Sequence, residues 1–137
     1  MELKKLTFLL ALTFLFLFSG SVYGDDLQEG LDAYKNKDYE TALKLFLPLA
    51  DDGNTRAQYT LGVMYEGGQG VPQDYKEALK WFRLSAKQGD VEAQYNLGLT
   101  YANGEGVPQD LEAALKWWKL AAEQEYAVAT STLGIEL

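Results

Sequence analysis

The chain has 137 residues, which leaves room for one domain, and its 47% hydrophobic and 13% aromatic content is enough for a packed core. Its net charge of −8 disfavours nucleic acid as a partner, because an acidic surface repels the phosphate backbone. The sequence contains no cysteine and no histidine, which excludes disulfides, thiolate nucleophiles, imidazole bases and ordinary zinc sites.

Residues 1–24 have the three-part layout of a secretory signal peptide. Lys4 and Lys5 give a basic start, residues 6–18 form an apolar run, and residues 19–24 are mostly small or polar. The apolar run is shorter than the roughly 20 residues that a membrane-spanning helix needs. The sequence therefore predicts export, with no membrane span in the chain after cleavage.

The predicted cleavage position follows Gly24, so that Asp25 opens the mature chain, and cleavage after Ser21 is the alternative. Extending the apolar run to Tyr23 would instead allow an uncleaved membrane anchor. Because disulfides are common in extracellular proteins, an exported chain without cysteine indicates a bacterial envelope. We therefore expect a periplasmic or secreted protein.

The first repeat, residues 25–54, is degenerate. Its second half keeps the 36-residue spacing of the units that follow, but a short polar stretch replaces their glycine-rich loop. The apolar spacing predicts two helices, Leu27–Asn36 and Tyr39–Asp51, and Pro48 is expected to bend the second.

The second repeat, residues 55–90, has stronger helix signals. Apolar residues at helical spacing predict a first helix over Thr55–Glu66. A glycine-rich loop follows, and Asp74 with Glu77 three residues later has the pattern of a capping box at the start of a second helix. Gly89 is expected to end that helix.

The third repeat, residues 91–126, is a close copy of the second. Aligned without a gap, segments 57–92 and 93–128 are identical at 19 of 36 positions. Tandem copies in one register predict units that stack on each other rather than a single closed globule.

The end of the chain departs from this register. Glu125 takes the place of the stop glycine, so the preceding helix is expected to run longer or turn less sharply. Residues 127–137 then begin another copy and stop, which predicts a truncated capping helix that covers Trp117 or Trp118.

Small and large residues alternate along the predicted helices. Gly62 lies in mid-helix, where it costs roughly 1 kcal/mol against alanine, so we expect it to allow close approach by a neighbouring helix. Trp81 and Trp117 keep the period and are predicted to lie in the core, whereas Trp118 is predicted to be partly exposed. An exposed tryptophan platform for carbohydrate or peptide is the alternative.

These positions resemble the Sel1-like repeat, a relative of the tetratricopeptide repeat, and the short loop makes the first repeat tetratricopeptide-like. The resemblance rests on the string A-x-x-x-L-G-x-x-Y, a loop G-x-G-V-P-x-D, and A-x-x-W with a closing alanine. It implies an all-α fold, a right-handed α/α superhelix (solenoid) of antiparallel helix pairs with about three repeats and a capping half-repeat. It also implies an adaptor for protein partners with no conserved catalytic residue. The residues that carry it, each with an equivalent 36 positions later, are Ala57, Leu61, Gly62, Tyr65, Gly68, Gly70, Val71, Asp74, Ala78, Trp81 and Ala86.

The resemblance further implies that the first helix of each pair lines a concave face. Aromatic and aliphatic side chains at this spacing suit an extended or helical peptide, so they are predicted to bind a protein or peptide partner. The alternative is that Tyr59 and Tyr95 pack against the preceding helix. The predicted binding residues are Leu31, Tyr34, Arg56, Tyr59, Val63, Glu66, Glu92, Tyr95, Leu99 and Asn103, with Leu27 before them.

Two other functions stay open. An envelope hydrolase of cell-wall or peptide substrates would need a carboxylate pair or a serine–lysine pair, and we expect no pair of the acidic residues to lie in an apolar setting that raises a pKa. A homo-oligomeric structural subunit would pair two copies through the apolar C-terminal helix. We expect no enzyme activity and no cofactor or metal. The acidic residues considered are Glu66, Asp90, Glu92, Glu105 and Glu112.

Overall fold

The computed structural model describes the backbone of residues 24–133 and the side chains of residues 24–125, and this part of the chain contains six α-helices and no strand. Each helix packs on the next along the chain. The predicted all-α repeat array is therefore confirmed, while the predicted signal peptide lies almost wholly outside the described residues. The helices are α1 (24–35), α2 (Tyr39–Asp51), α3 (Thr55–Gly67), α4 (Tyr75–Lys87), α5 (Val91–Asn103) and α6 (Leu111–Leu133).

The turns between repeats use a glycine followed by a capping residue. Gly53 and Gly89 have φ of 95° and 98°, a region that a side chain disfavours. The next residues, Asn54 and Asp90, accept hydrogen bonds from backbone N–H groups in the first turns of α3 and α5. Stop and start signals thus lie side by side, which keeps these turns short.

The turn within the second repeat makes only half of the predicted capping box. The Asp74 carboxylate accepts hydrogen bonds from the backbone N–H groups of Lys76 and Glu77 at 3.0 and 3.2 Å. The Asp74 N–H, which Glu77 was predicted to bind, instead donates to the Tyr65 carbonyl at 2.9 Å. The loop therefore closes onto the end of α3, and Glu77 is not needed for this contact.

The last helix differs from the prediction. α6 continues without a break to Leu133, so the separate capping helix predicted over 127–137 does not form within the described residues. Glu125 and Tyr126 replace the turn glycine and the capping residue of the earlier repeats. Neither favours a positive φ or caps a helix, so no signal stops α6. Residues 134–137 lie outside the described part.

Two clusters of buried side chains form the core. One lies among α1, α2, α3 and the inner side of α4 and includes Phe46, Leu61 and the α4 residue Trp81, which is 4% exposed. The other joins α4 to α5 and includes Phe82 and Leu97, which are both fully buried. Because each cluster spans more than one repeat, the repeats hold each other in place.

The three tryptophans differ in burial. Trp81 is in the core, as predicted. Trp117 was also predicted to be core but is only half-buried, where it packs against the second core cluster. Trp118 is half-buried as well, in agreement with its predicted partial exposure.

Candidate partner-binding groove

The first helices of the three pairs, α1, α3 and α5, contribute to two adjoining cavities. The inner cavity has a volume of about 310 Å³ and the end cavity about 440 Å³. Both are lined by Tyr59 and Glu92, so they meet where α3 contacts α5. We call the two together the groove. The inner cavity is lined by Leu31, Tyr34, Lys35, Arg56, Tyr59, Thr60, Val63 and Glu92. The end cavity is lined by Tyr59, Val91, Glu92, Tyr95, Asn96, Trp118, Ala121, Ala122 and Glu125.

The apolar part of the inner cavity comes from α1 and α3. Leu31 and Tyr34 pack against the first core cluster, so their positions are fixed from behind. The Tyr34 hydroxyl donates a hydrogen bond to the Gln69 side-chain oxygen at 3.0 Å, which ties α1 to the loop after α3. The aromatic wall of this cavity is therefore held in place by the fold.

The polar part of the inner cavity is an ion pair beside a tyrosine. Arg56 Nη1 lies 3.3 Å from Glu92 Oε2, and the Arg56 guanidinium carbon lies 5.1 Å from the centre of the Tyr59 ring. Both charged side chains are about half exposed, so the pair adds little to stability and remains open to a competing partner. Burial, followed by the negative charge of Glu92, raises the pKa of Tyr59, so its hydroxyl stays neutral at physiological pH.

The end cavity is built around Trp118. Its indole Nε1 donates a hydrogen bond to the Tyr95 carbonyl at 3.1 Å, and the two rings lie 6.4 Å apart. Trp118 can approach α5 this closely because Gly98 has no side chain. Tyr95 is 53% exposed, so an aromatic surface faces solvent at this end of the array.

Seven of the ten predicted binding residues line the groove. Glu66, Leu99 and Asn103 do not. The inner cavity is lined by three successive first helices, α1, α3 and α5. The equivalent cavity one repeat later would include Glu66 and Leu99, but it would need a further first helix after α5, and the described residues contain none. The role of these residues in partner binding stays a prediction. The seven are Leu31, Tyr34, Arg56, Tyr59, Val63, Glu92 and Tyr95.

The two tyrosines differ in how far they are buried. Tyr59 is half-buried and its ring lies 6.0 Å from that of Phe82 on α4, so it packs against the following helix, not the preceding one, as well as lining the groove. Tyr95, its equivalent 36 residues later, is mainly exposed. They differ because α5 covers Tyr59 on the side where Tyr95 has no neighbour.

Sequence reasoning missed several lining residues. Thr60 and Asn96 each follow a predicted tyrosine by one position, and an i, i+3, i+4, i+7 face would have included them. Lys35 lies at the end of α1 and carries no such signal. Trp118 comes from a second helix, and its contact with Gly98 could have been inferred from the small residue alone.

Two carboxyl groups have a perturbed pKa. The hydrogen bonds from Thr41 lower the pKa of Asp38, whereas the pKa of Glu66 is raised, contrary to the prediction that no pair of acidic residues would lie in a setting that raises a pKa. Partial burial, followed by the negative charge of Glu105, raises the pKa of Glu66. A carboxyl group of this kind holds a proton more readily, but neither residue lines the groove. Within residues 24–125, no group of three or more acidic side chains is placed to hold a metal ion. Among the described helices, none is both long and apolar enough to cross a lipid bilayer.

Comparison with known proteins gives a consistent result. The family model of the Sel1 repeat matches three segments, residues 23–54, 55–90 and 91–126. No curated protein matches the chain.

Two solved structures are similar. One is c5321, a protective antigen present in uropathogenic Escherichia coli strains displaying an SLR fold, with 40% identity, a TM-score of 0.71 and coverage of 74% of this chain and 23% of that chain. The other is a Sel1 repeat protein from Oxalobacter formigenes, with 36% identity, a TM-score of 0.70 and coverage of 79% and 44%. The chain thus spans less than half of either protein. Since the three matched segments cover most of its length, the chain belongs to the Sel1 repeat family.

Proposed function

We propose that this chain is a non-enzymatic adaptor of the bacterial cell envelope that binds a peptide or protein segment in the groove. Sel1 repeats generally mediate protein interactions, and proteins built from them are typically non-enzymatic scaffolds. The inner cavity carries the proposal, because apolar Leu31 and Val63 lie there beside charged Lys35, Arg56 and Glu92. Apolar walls beside a charged rim can hold a side chain of a bound segment and fix its orientation.

The envelope location is supported by the basic start and the apolar run of residues 1–24. Cell fractionation with N-terminal sequencing tests it. The expected result is a periplasmic or secreted chain that begins at Asp25. A cytoplasmic chain that keeps residues 1–24 would contradict this part of the proposal and leave the groove untouched.

Partner binding is tested first by finding the partner. A photo-crosslinking amino acid at Lys35, which is exposed and lines the inner cavity, should capture a partner in growing cells. The same probe at Leu84, an exposed position on α4 that lines neither cavity, is the matched control. Mass spectrometry then identifies the captured protein.

The second step measures affinity for that purified partner. Tyr59→Ala removes one of the two side chains that line both cavities and should weaken binding about ten-fold or more, which corresponds to about 1.4 kcal/mol. Leu84→Ala should leave affinity unchanged. Equal affinity of the folded Tyr59→Ala variant and the parent would show that the segment does not bind in the groove.

As a second candidate we propose self-association through the C-terminal helix. Leu111 and Leu115 on α6 are 59% and 63% exposed, which is unusual for two leucines one turn apart. Sedimentation equilibrium of the protein, purified after any N-terminal processing in the cell, should give the mass of a dimer. A monomer at every accessible concentration would remove this candidate.

A further inference from the structure

The end cavity occupies the place of a missing helix. One repeat earlier, Phe82 and Ala86 on α4 are almost fully buried, in a cluster that includes Ala93 and Leu97 of α5. Their equivalents on α6, Trp118 and Ala122, line the end cavity instead and remain partly or largely exposed. α6 therefore presents the surface on which the first helix of a fourth repeat would pack.

The exposed leucine on α6 supports the same comparison. Leu79 on α4 is 6% exposed and belongs to the cluster with α5, whereas its equivalent, Leu115, is 63% exposed. The two residues occupy the same position in repeats of closely similar sequence. The difference in exposure is thus the area that a following first helix would cover.

A segment that fits this surface is present in the chain. The contact between α4 and α5 uses an alanine and a leucine four residues apart, Ala93 and Leu97. The same pair recurs 36 positions later as Ala129 and Leu133. Since α6 is one continuous helix, it carries residues 129–133 along its own axis and away from its own end cavity.

The reason for this lies in the hinge between the two segments. In the earlier turn, Gly89 with φ of 98° and Asp90 as a cap reverse the chain, so that α5 folds back on α4. Glu125 and Tyr126 replace both signals and favour a continuous helix. Loss of a reversing turn with retention of the element beyond it favours exchange of that element between two copies.

We propose that two copies of this chain exchange the helical segment around residues 129–133, each segment occupying the end cavity of the other copy. The pairing is antiparallel and two-fold symmetric, with residue 129 of one copy against residue 122 of the other, as Ala93 lies against Ala86. It rests on the self-association proposed above and specifies how the copies contact each other. The inner cavity is left open for the adaptor's partner.

A pair of introduced cysteines tests the exchange directly, because the natural chain has none. In the double variant Ala122→Cys/Ala129→Cys, the two cysteines of one copy lie about 10 Å apart along a continuous helix, beyond disulfide reach. After mild oxidation, the double variant should run as a covalent dimer on non-reducing electrophoresis. Either single variant should run at the mass of one chain, because it lacks the second cysteine of the pair. A disulfide within one copy, or thiols that stay free, would overturn the exchange.

Restoring the turn provides a second test. Glu125→Gly/Tyr126→Asp returns the stop glycine and the cap, so each segment should fold back onto its own copy. Sedimentation should then show a dimer for the parent and a monomer for the variant, with equal helix content by circular dichroism. A monomeric parent would contradict both proposals, the self-association and the exchange. If both the parent and the variant are dimers, the exchange is contradicted but the self-association is not.

Discussion

Glycines in the first helices determine how closely the two helices of each pair approach. Gly30, Gly62 and Gly98 each face an aromatic ring of the second helix. A Cβ atom at Gly62 would lie 2.5 Å from a ring carbon of Phe82, and that ring is fully buried. The predicted close approach at Gly62 is confirmed, and it explains why helix propensity is lost in the middle of α3.

We expect Gly62→Ala to destabilise the protein by about 1–2 kcal/mol, because the strain of overpacking exceeds the gain in helix propensity. Urea unfolding followed by circular dichroism measures the change. Gly67→Ala, at the end of the same helix, is the control, since its Cβ would meet only Gln69 at ordinary contact distance. A Gly62→Ala variant as stable as Gly67→Ala would show that the Phe82 ring can move aside.

Glu66 gives a prediction that depends on pH. Its pKa in the folded protein is raised above the unfolded value of about 4.5, chiefly by partial burial. Folding is therefore disfavoured when Glu66 is ionised, and its contribution to stability falls as pH rises through the folded pKa. Glu66→Gln should be more stable than the parent at pH 7, with the difference disappearing below about pH 4.5.

Thermal unfolding across this pH range checks the sign. Glu105→Gln removes the second cause of the shift, so the benefit of Glu66→Gln should be smaller in that background. A Glu66→Gln variant that loses stability at neutral pH would mean that the carboxylate has a favourable partner in the fold.

At the scale of helices and turns, buried glutamines join consecutive elements. The Gln58 side-chain N–H donates to the Ala50 carbonyl at 3.0 Å, and its oxygen accepts from Gln88 at 2.7 Å. Gln94 repeats the contact at 3.2 Å with the Ala86 carbonyl. Each of these carbonyls also accepts the N–H of the turn glycine, Gly53 or Gly89, so the glutamine adds a second hydrogen bond at the end of the preceding helix.

Replacing Gln58 by leucine should cost about 1 kcal/mol, because the hydrogen bonds to the Ala50 carbonyl and from Gln88 are both lost, although the Ala50 carbonyl keeps the bond from the Gly53 N–H. Gln73→Leu is the matched control, since Gln73 donates to the Glu66 carbonyl at an exposed position. We expect a change of less than about 0.5 kcal/mol there. The urea unfolding midpoints of the Gln58→Leu and Gln73→Leu variants compare their stabilities. An equal loss of stability in both variants would show that burial of the glutamine makes no difference.

Helix positions were largely predictable from the sequence, because start and stop signals are local. Tyr39–Asp51 was predicted to the residue, and the first helix of the second repeat was predicted to end one residue before its observed end at Gly67. Six of the ten predicted binding residues belong to the inner cavity for the same reason, since helical spacing fixes which residues share a face.

Contacts between distant elements could not be predicted in this way. The pKa of Glu66 depends on Glu105, which lies in a loop of the next repeat. The half-exposure of Trp117 depends on how α6 packs against the second core cluster, and the continuation of α6 depends on two missing signals. The periodic pattern alone predicted a separate last helix, although Glu125 already marked the loss of the stop.

At the scale of the whole molecule, the strongest contacts join consecutive helices, so stability is a sum over neighbouring repeats. We expect that an added copy of residues 91–126, placed after residue 126 in a chain that also carries Glu125→Gly/Tyr126→Asp to restore the turn, would cover Leu115 and stabilise the array by roughly 1.5–3 kcal/mol from that side chain alone. The unfolding temperature by circular dichroism should rise.

A flexible glycine–serine segment of equal length is the control for this extension and should leave the unfolding temperature unchanged. Sedimentation of the extended chain should also show a monomer, since its own fourth repeat fills the end cavity. An extended chain that melts no higher than the control would mean that α6 does not accept a further repeat.

Because the tryptophans differ in burial, intrinsic tryptophan fluorescence can report the assembly of this chain. Trp81 is shielded from water, while Trp118 borders the opening where a second copy would dock. On dilution, the long-wavelength side of the intrinsic fluorescence should grow as the indole of Trp118 becomes hydrated, and the Trp81 emission should hold steady. Quenching by iodide would then report assembly in solution without any attached dye.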